Sequence, residues 1–171
     1  MPNDPKANPF PARFASTLVP KIGQTASYLE GDDGYFQSGV MSPSPRFIQE
    51  GETVTDNLTG LIWLLDANVF NSTCFWHIAV ERCRGLNVGG CTEWRLPNVR
   101  EQLSLIDYGQ VFPALPPGHP FVNVPKGYYW SSTTYAGDTN AAWIVGIEQG
   151  VLAGNAKMSG LRYAWPVRGG Q

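Results

Sequence analysis

Two histidines and three cysteines hold most of the reactive chemistry in this 171-residue chain. His77 follows Cys74 by three residues and precedes Glu81 by four, so one helix face could bring an imidazole to a thiol or a carboxylate. His119 sits between prolines in "PPGHP" without such neighbours, and a packing role is expected for it. The hydroxyls of "SST" at 131–133 have no general base beside them in the sequence. "GDDG" (31–34) and "DNLTG" (56–60) offer oxygen ligands of the kind calcium takes, but not at EF-hand spacing. Tight turns are the expected use, because Asp and Gly favour those backbone angles. Cys74, Cys83 and Cys91 form no CxxC pair and join no His cluster, which argues against zinc. These readings give no catalytic residue, no metal and no cofactor: the chain is expected not to be an enzyme.

The elements that would position these residues can be read from periodicity. "TVTD" and "LIWLL" are β-rich runs around the turn Asn57-Leu58-Thr59-Gly60, which predicts a hairpin with Leu61, Trp63 and Leu65 on one buried face. "TCFWHIAVERCRGL" predicts a first helix with Phe75, Ile78, Ala79, Arg82 or Cys83, and Leu86 on the inward stripe, Thr73 as its cap and Gly85 or Gly89–Gly90 as its end. "NVREQLSLID" predicts a second helix. Asn98 caps it, Glu101 completes a capping box, and Val99, Leu103 and Ile106 form the core stripe. Residues 107–127 read as loop. Short strands follow in "YYWSST", "AAWIVGI", "GVLAGNA" and "RYAWPVR". Alternation sends Trp143, Val145 and Ile147 to one side, and Ile144, Gly146 and Glu148 to the other. The layout is α+β: two helices on a small antiparallel sheet with long loops. Trp94 and Leu96 of "WRLPN" are expected in the core. Arg95 is expected to pair with a carboxylate or loop carbonyls, and Arg100 and Glu101 to be solvated.

Residues 1–21 carry five prolines and read as an extended arm or unstructured leader through which copies could assemble; residues 22–171 read as one domain. The stretch 23–47 is expected as irregular structure over a core, with turns at Gly31–Gly34 and Pro43–Pro45. A formal charge of −2 without a basic stripe argues against nucleic acid as a partner. The longest apolar run, "LIWLL", is far short of the ~20 residues a membrane helix needs. "MPNDPKANPFPARF" lacks the apolar core and cleavage site of a secretory signal.

"TDNLTGLIWL", "GGCTEWRLPNVREQLSLID", "YYWSSTTYAG" and "PVRGG", in that order, resemble the C-terminal domain of the Legionella collagen-like adhesin family over roughly residues 22–171. The resemblance implies a C-type-lectin-like fold, a place outside the cell or on a cell or virus surface, and a protein or glycan ligand on another cell or particle. Many members of that family pair a cysteine of the first helix with one just before the terminal Val-Arg. Here that late position is Pro166, so Cys83 pairs elsewhere, with Cys91 the nearest candidate, or stays reduced. The Glu-Pro-Asn, Gln-Pro-Asp and Trp-Asn-Asp calcium signatures of lectins are absent from the sequence. Formylglycine-generating enzymes share the fold but need a late cysteine, and none is present.

The same resemblance extends to variable proteins of diversity-generating retroelements, in which scattered codons near the end of the chain are mutated between fixed framework residues. The corresponding stretch here, "AAWIVGIEQGVLAGNAKMSGLRYAW", has one carboxylate and two cations and little to catalyse with. The expected ligand-binding face comprises Tyr135, Asp138, Asn140, Ile144, Gly146, Glu148, Val151, Ala153, Asn155, Met158, Ser159, Leu161 and Tyr163. Tyrosine suits such a face, since it gives large contact area at low entropic cost. The expected function is non-enzymatic ligand binding, with carbohydrate or glycosaminoglycan binding as the alternative.

Overall fold

Asp56 fixes the first hairpin. Its carboxylate, fully buried, accepts from the N–H of Leu58 and the hydroxyl of Thr59 at 3.0 Å each and pairs with Arg46 at 3.3 Å. Its carbonyl accepts from Gly60 N–H, and Gly60 takes φ +72°, which glycine adopts at little cost. In the computed structural model, which describes residues 19–169, this turn joins β2 (Thr53–Asp56) to β3 (Leu61–Leu64). β1 (Phe47–Glu50) pairs outside β2, and the two-residue β7 (Val167–Arg168) pairs with β3, giving an antiparallel sheet of order β1-β2-β3-β7. The second sheet holds β4 (Tyr128–Thr134), β5 (Ala141–Gly146) and β6 (Val151–Ala156) in sequence order, also antiparallel. Most of the expected arm lies outside the described residues.

Among the described residues, three short helices accompany the sheets. α1 (Asp33–Phe36) starts at Asp32, whose carboxylate accepts from Tyr28, Leu29 and Tyr35 N–H. "GDDG" is thus a helix start as well as a turn. α2 (Trp76–Arg84) ends at Gly85 as expected, but begins after Phe75, without a side-chain cap. Thr73 does not cap it because Cys74 is committed to a bridge with Arg162, with N–H to carbonyl bonds of 2.9 and 3.1 Å. α3 (Val99–Leu103) carries the expected capping box. Its fully buried side chain is Gln102, which donates to Trp130 C=O at 2.8 Å, while Val99 and Leu103 are half-buried.

The core falls into two clusters. The larger lies between the sheets and contains Trp63, Trp94, Tyr129, Val145, Ile147 and Trp165. The smaller lies between α2 and the second sheet and contains Cys74, Ala79, Cys83, Leu96, Trp130 and Ile144. Leu64 is buried together with Leu61 and Trp63, so β3 is covered on both faces. "RYAWPVR" is not one strand. Tyr163 bonds to β4 through Trp130 N–H and Tyr128 C=O, Pro166 C=O accepts from Leu64 N–H, and Val167 pairs with both β3 and Arg95. Residues 162–168 therefore stitch the two sheets together. Trp165 reinforces the seam by donating its indole N–H to Leu64 C=O at 2.8 Å.

Candidate functional site

The second sheet positions the residues expected to bind a ligand. Its central strand β5 obeys the expected alternation, but both sides are covered. Val145 and Ile147 enter the larger cluster and Ile144 the smaller. Ile144 is 2% exposed, which corrects the expectation that it faces outward. Gly146 is also buried, with Tyr128 so close that an added Cβ would lie 3.1 Å from its ring. Alternation separates two faces of a strand, and it names a solvent face only when nothing packs there. Here α2 and Leu96 do.

The other candidates divide between the two ends of the sheet. At one end are the β4–β5 turn and the segment after β6. Tyr135, Asp138, Asn140, Met158, Ser159 and Leu161 are exposed there. Asp138 holds the turn by accepting from Asn140 N–H at 2.9 Å, and Tyr135 packs edge-on against Trp143, ring centres 4.9 Å apart. Lys157 braces the end. Its ammonium donates to Thr134 Oγ1 (2.8 Å) and Thr139 C=O (3.0 Å) and lies 4.3 Å from the centre of the Trp76 ring. Asn155, half-buried, packs against Gly160, where an added Cβ would fall 1.5 Å from Asn155 Oδ1. Ala153 is half-buried between the ends.

At the opposite end, Gly146, Glu148 and Val151 line a cleft of about 70 Å³ with Gly127, Tyr128 and Gln149. Half-buried Tyr163 lies beside it, its ring near Gly127 and 5.5 Å from that of Tyr129. The ends are separated by the length of β6, roughly 20 Å for six residues. The expected residues are thus two groups with a buried centre rather than one face.

Phe75 joins the first group, which the periodicity missed by assigning it to the core stripe. The Cys74–Arg162 bridge sets Phe75 across from Leu161, and Phe75 is 37% exposed with the His77 ring stacked on it. With Tyr135, Met158 (71% exposed) and Leu161 (48%), it makes the end of the sheet apolar. These four exposed side chains make this end of the sheet the candidate surface, with Tyr135 on the Trp143 side of the sheet and Phe75 at the start of α2.

The reactive side chains serve other ends. Burial pushes the Cys83 thiol up to about 12 and raises that of Cys74, so both are protonated at neutral pH. All three cysteines are unpaired with one another. Ser131 is buried and donates to Trp143 C=O. Burial lowers the His119 pKa, and its ring stacks on Phe121. Glu101, expected to be solvated, forms a two-pronged pair with Arg95 at 2.7 Å on each prong, and Arg95 also donates to Gly169 C=O. Among the described residues no three metal-ligating side chains converge, and no helix is long and apolar enough to cross a membrane.

A search of curated proteins returns no match. The family model described as the Lcl C-terminal domain matches residues 52–168, from the residue before β2 to the end of β7, which takes in both cores, the seam and both ends of the second sheet. By that match over more than half its length, the chain belongs to the Lcl C-terminal domain family.

Proposed function

We propose that this chain is a non-enzymatic, adhesin-type binding module that docks a protein ligand on the end of the second sheet formed by Tyr135, Met158, Leu161 and Phe75. The observation that carries this reading is the exposure of four large apolar side chains at one end of the sheet, next to the Lys157 brace and the Asp138 turn. Binding proceeds by burying these side chains, with Asp138, Asn140 and Ser159 as a polar rim and no bond made or broken. Family membership supports the adhesin-type reading, a C-type-lectin-like fold and display on a cell or virus surface.

Diversification by a retroelement fits the same geometry in a narrower form. The exposed positions at the end of the sheet are free to differ, whereas Ile144 and Gly146 belong to the framework. The test is binding of the displayed domain to candidate target cells. Replacing Tyr135, Met158 and Leu161 together with serine should reduce binding at least tenfold while the fold survives. Undiminished binding would overturn the reading. A neighbouring reverse transcriptase gene and a near-copy of the 3′ coding end, differing at adenines, would establish the diversification.

Carbohydrate binding is the second reading, and the Tyr128–Glu148 cleft favours it: an aromatic face beside a carboxylate suits a sugar ring and its hydroxyls. Glycan arrays with and without calcium, read against Tyr128→Ala, separate it from the first.

A further inference from the structure

β6 is an edge strand without the usual protection. It pairs with β5 along all six residues and, among the described residues, with no other strand. Natural edges are blunted by charge, proline, bulges or a covering segment. Here no ionisable residue lies between Glu148 and Lys157, β6 has no proline, and its ladder with β5 runs without a shift. Val151, Leu152, Gly154 and Ala156 are exposed.

The hydrogen-bond phase shows which groups are free. Lys157 N–H donates to Asn140 C=O at 2.8 Å, continuing the register in which Ala141 faces Ala156. Bonded and non-bonded pairs alternate in an antiparallel ladder. Asn155, Ala153 and Val151 therefore bond to β5, while Leu152, Gly154 and Ala156 turn their N–H and C=O groups away from it. Ala156 C=O is already taken by Gly160 N–H. Two complete donor–acceptor sets remain, those of Leu152 and Gly154.

We propose that β6 is the contact through which two copies of this chain pair, antiparallel, about a two-fold axis at Ala153. That axis sets Leu152 opposite the partner's Gly154, and Gly154 opposite the partner's Leu152. All four free N–H and C=O groups on each strand edge then exchange hydrogen bonds. The side chains agree with this register. Leu152 is 43% exposed, and Gly154 leaves bare space that opens on the Tyr135 ring, 3.9 Å from where a Cβ would stand. The partner's Leu152 fills that space over the Tyr135–Trp143 pair. An uncharged strand meets no like-charge opposition from its own copy. The contact is short and falls in the small, transient class below about 1,200 Å², so dimer population follows concentration. The proposal does not rest on the ligand-binding reading, although the two share Tyr135, so a ligand docked over that ring would compete with the dimer.

The test uses the full chain with Cys91→Ser, which removes the most accessible thiol. Sedimentation from about 1 μM to about 1 mM, the range of weak association, should show dimer growing with concentration. Adding Ala153→Cys should give a covalent dimer on mild oxidation, because a non-bonded pair stands about 4.5 Å apart at Cα, within disulfide range. Val151→Cys should not, its copies lying roughly 13 Å apart along the strands. Leu152→Asp, or Gly154→Lys where the first alters the circular dichroism, should cut the dimer fraction at least tenfold. A monomer at every concentration would overturn the proposal. So would a dimer indifferent to both edge variants, or cross-linking through Val151→Cys as fast as through Ala153→Cys. An extended strand of another protein as the true occupant would show as the first of these results.

Discussion

Lys157 and Trp76 are joined twice: the ammonium lies over the indole at 4.3 Å, and Trp76 N–H donates to Lys157 C=O at 3.2 Å. This ties the start of α2 to the segment after β6, so the turn that carries the exposed Met158 is anchored at its first residue. Lys157→Met keeps the stem and the main-chain bond but removes the charge and two hydrogen bonds. It should cost about 1–2 kcal/mol in denaturant unfolding. Amide exchange should accelerate at residues 157–161 more than in the cores.

Gly160 admits no side chain while Asn155 is present, since an added Cβ would collide with Asn155 Oδ1. Gly160→Ala should destabilise by about 1–3 kcal/mol. Combining it with Asn155→Ala should recover only part of that loss, because the Cβ would still lie 2.9 Å from Ala156 C=O; a double-mutant cycle measures the recovered share directly. Strict additivity would mean that the turn yields in some other way.

Burial raises the Glu101 carboxyl pKa, but the Arg95 guanidinium and Asn98 N–H pull it down further, leaving it below the ordinary range. A depressed folded-state pKa contributes stability that is fully present above the unfolded value of about 4.3 and is lost as pH falls through the folded value. Glu101→Gln should therefore cost about 1.5–3 kcal/mol at pH 7 and shed less stability than the parent between pH 5 and 3. Parallel stability curves for the two proteins would contradict this role.

Ile144 and Met158 belong to the same quoted stretch but have opposite fates. Ile144→Ala empties a site in the smaller core and should cost about 2–5 kcal/mol. Met158→Ala, at a side chain 71% exposed, should change stability by no more than about 0.5 kcal/mol. Thermal unfolding of the pair separates framework from display.

These contrasts show what the sequence could reveal. The hairpin at Asp56, the capping box at Asn98 and the strands around Trp130 and Trp143 follow from local pattern, and local pattern is visible in one chain. Burial of Ile144 depends on α2 crossing the sheet, and exposure of Phe75 depends on the Cys74–Arg162 bridge, which joins residues far apart in sequence. The ion pair of Glu101 with Arg95 is half-legible: the sequence offers Arg95 a carboxylate or loop carbonyls, and it finds both, but a helix-start Glu101 reads as solvated. The chemistry-poor stretch holds the exposed Met158 and Leu161 but also the buried Ile144, which composition alone cannot tell apart. Nor can composition separate the two ends of the sheet, because strand length and turn position set that distance.

The seam at residues 162–168 also bears on how the molecule reaches its native state. Trp165 donates to Leu64 across 101 positions, and Val167 pairs with Trp63 over a similar interval. Closing so wide a loop is entropically slow, and its reward comes only when both sheets are already formed. The seam is therefore expected to lock last, as a clasp on an assembled second sheet. Until it closes, Tyr163 and Arg162 are not held against β4 and Cys74, and the start of α2 lacks half its mooring. In a variant whose other five tryptophans are replaced by phenylalanine, the fluorescence of Trp165 should record that closing as a phase slower than formation of the β2–β3 hairpin.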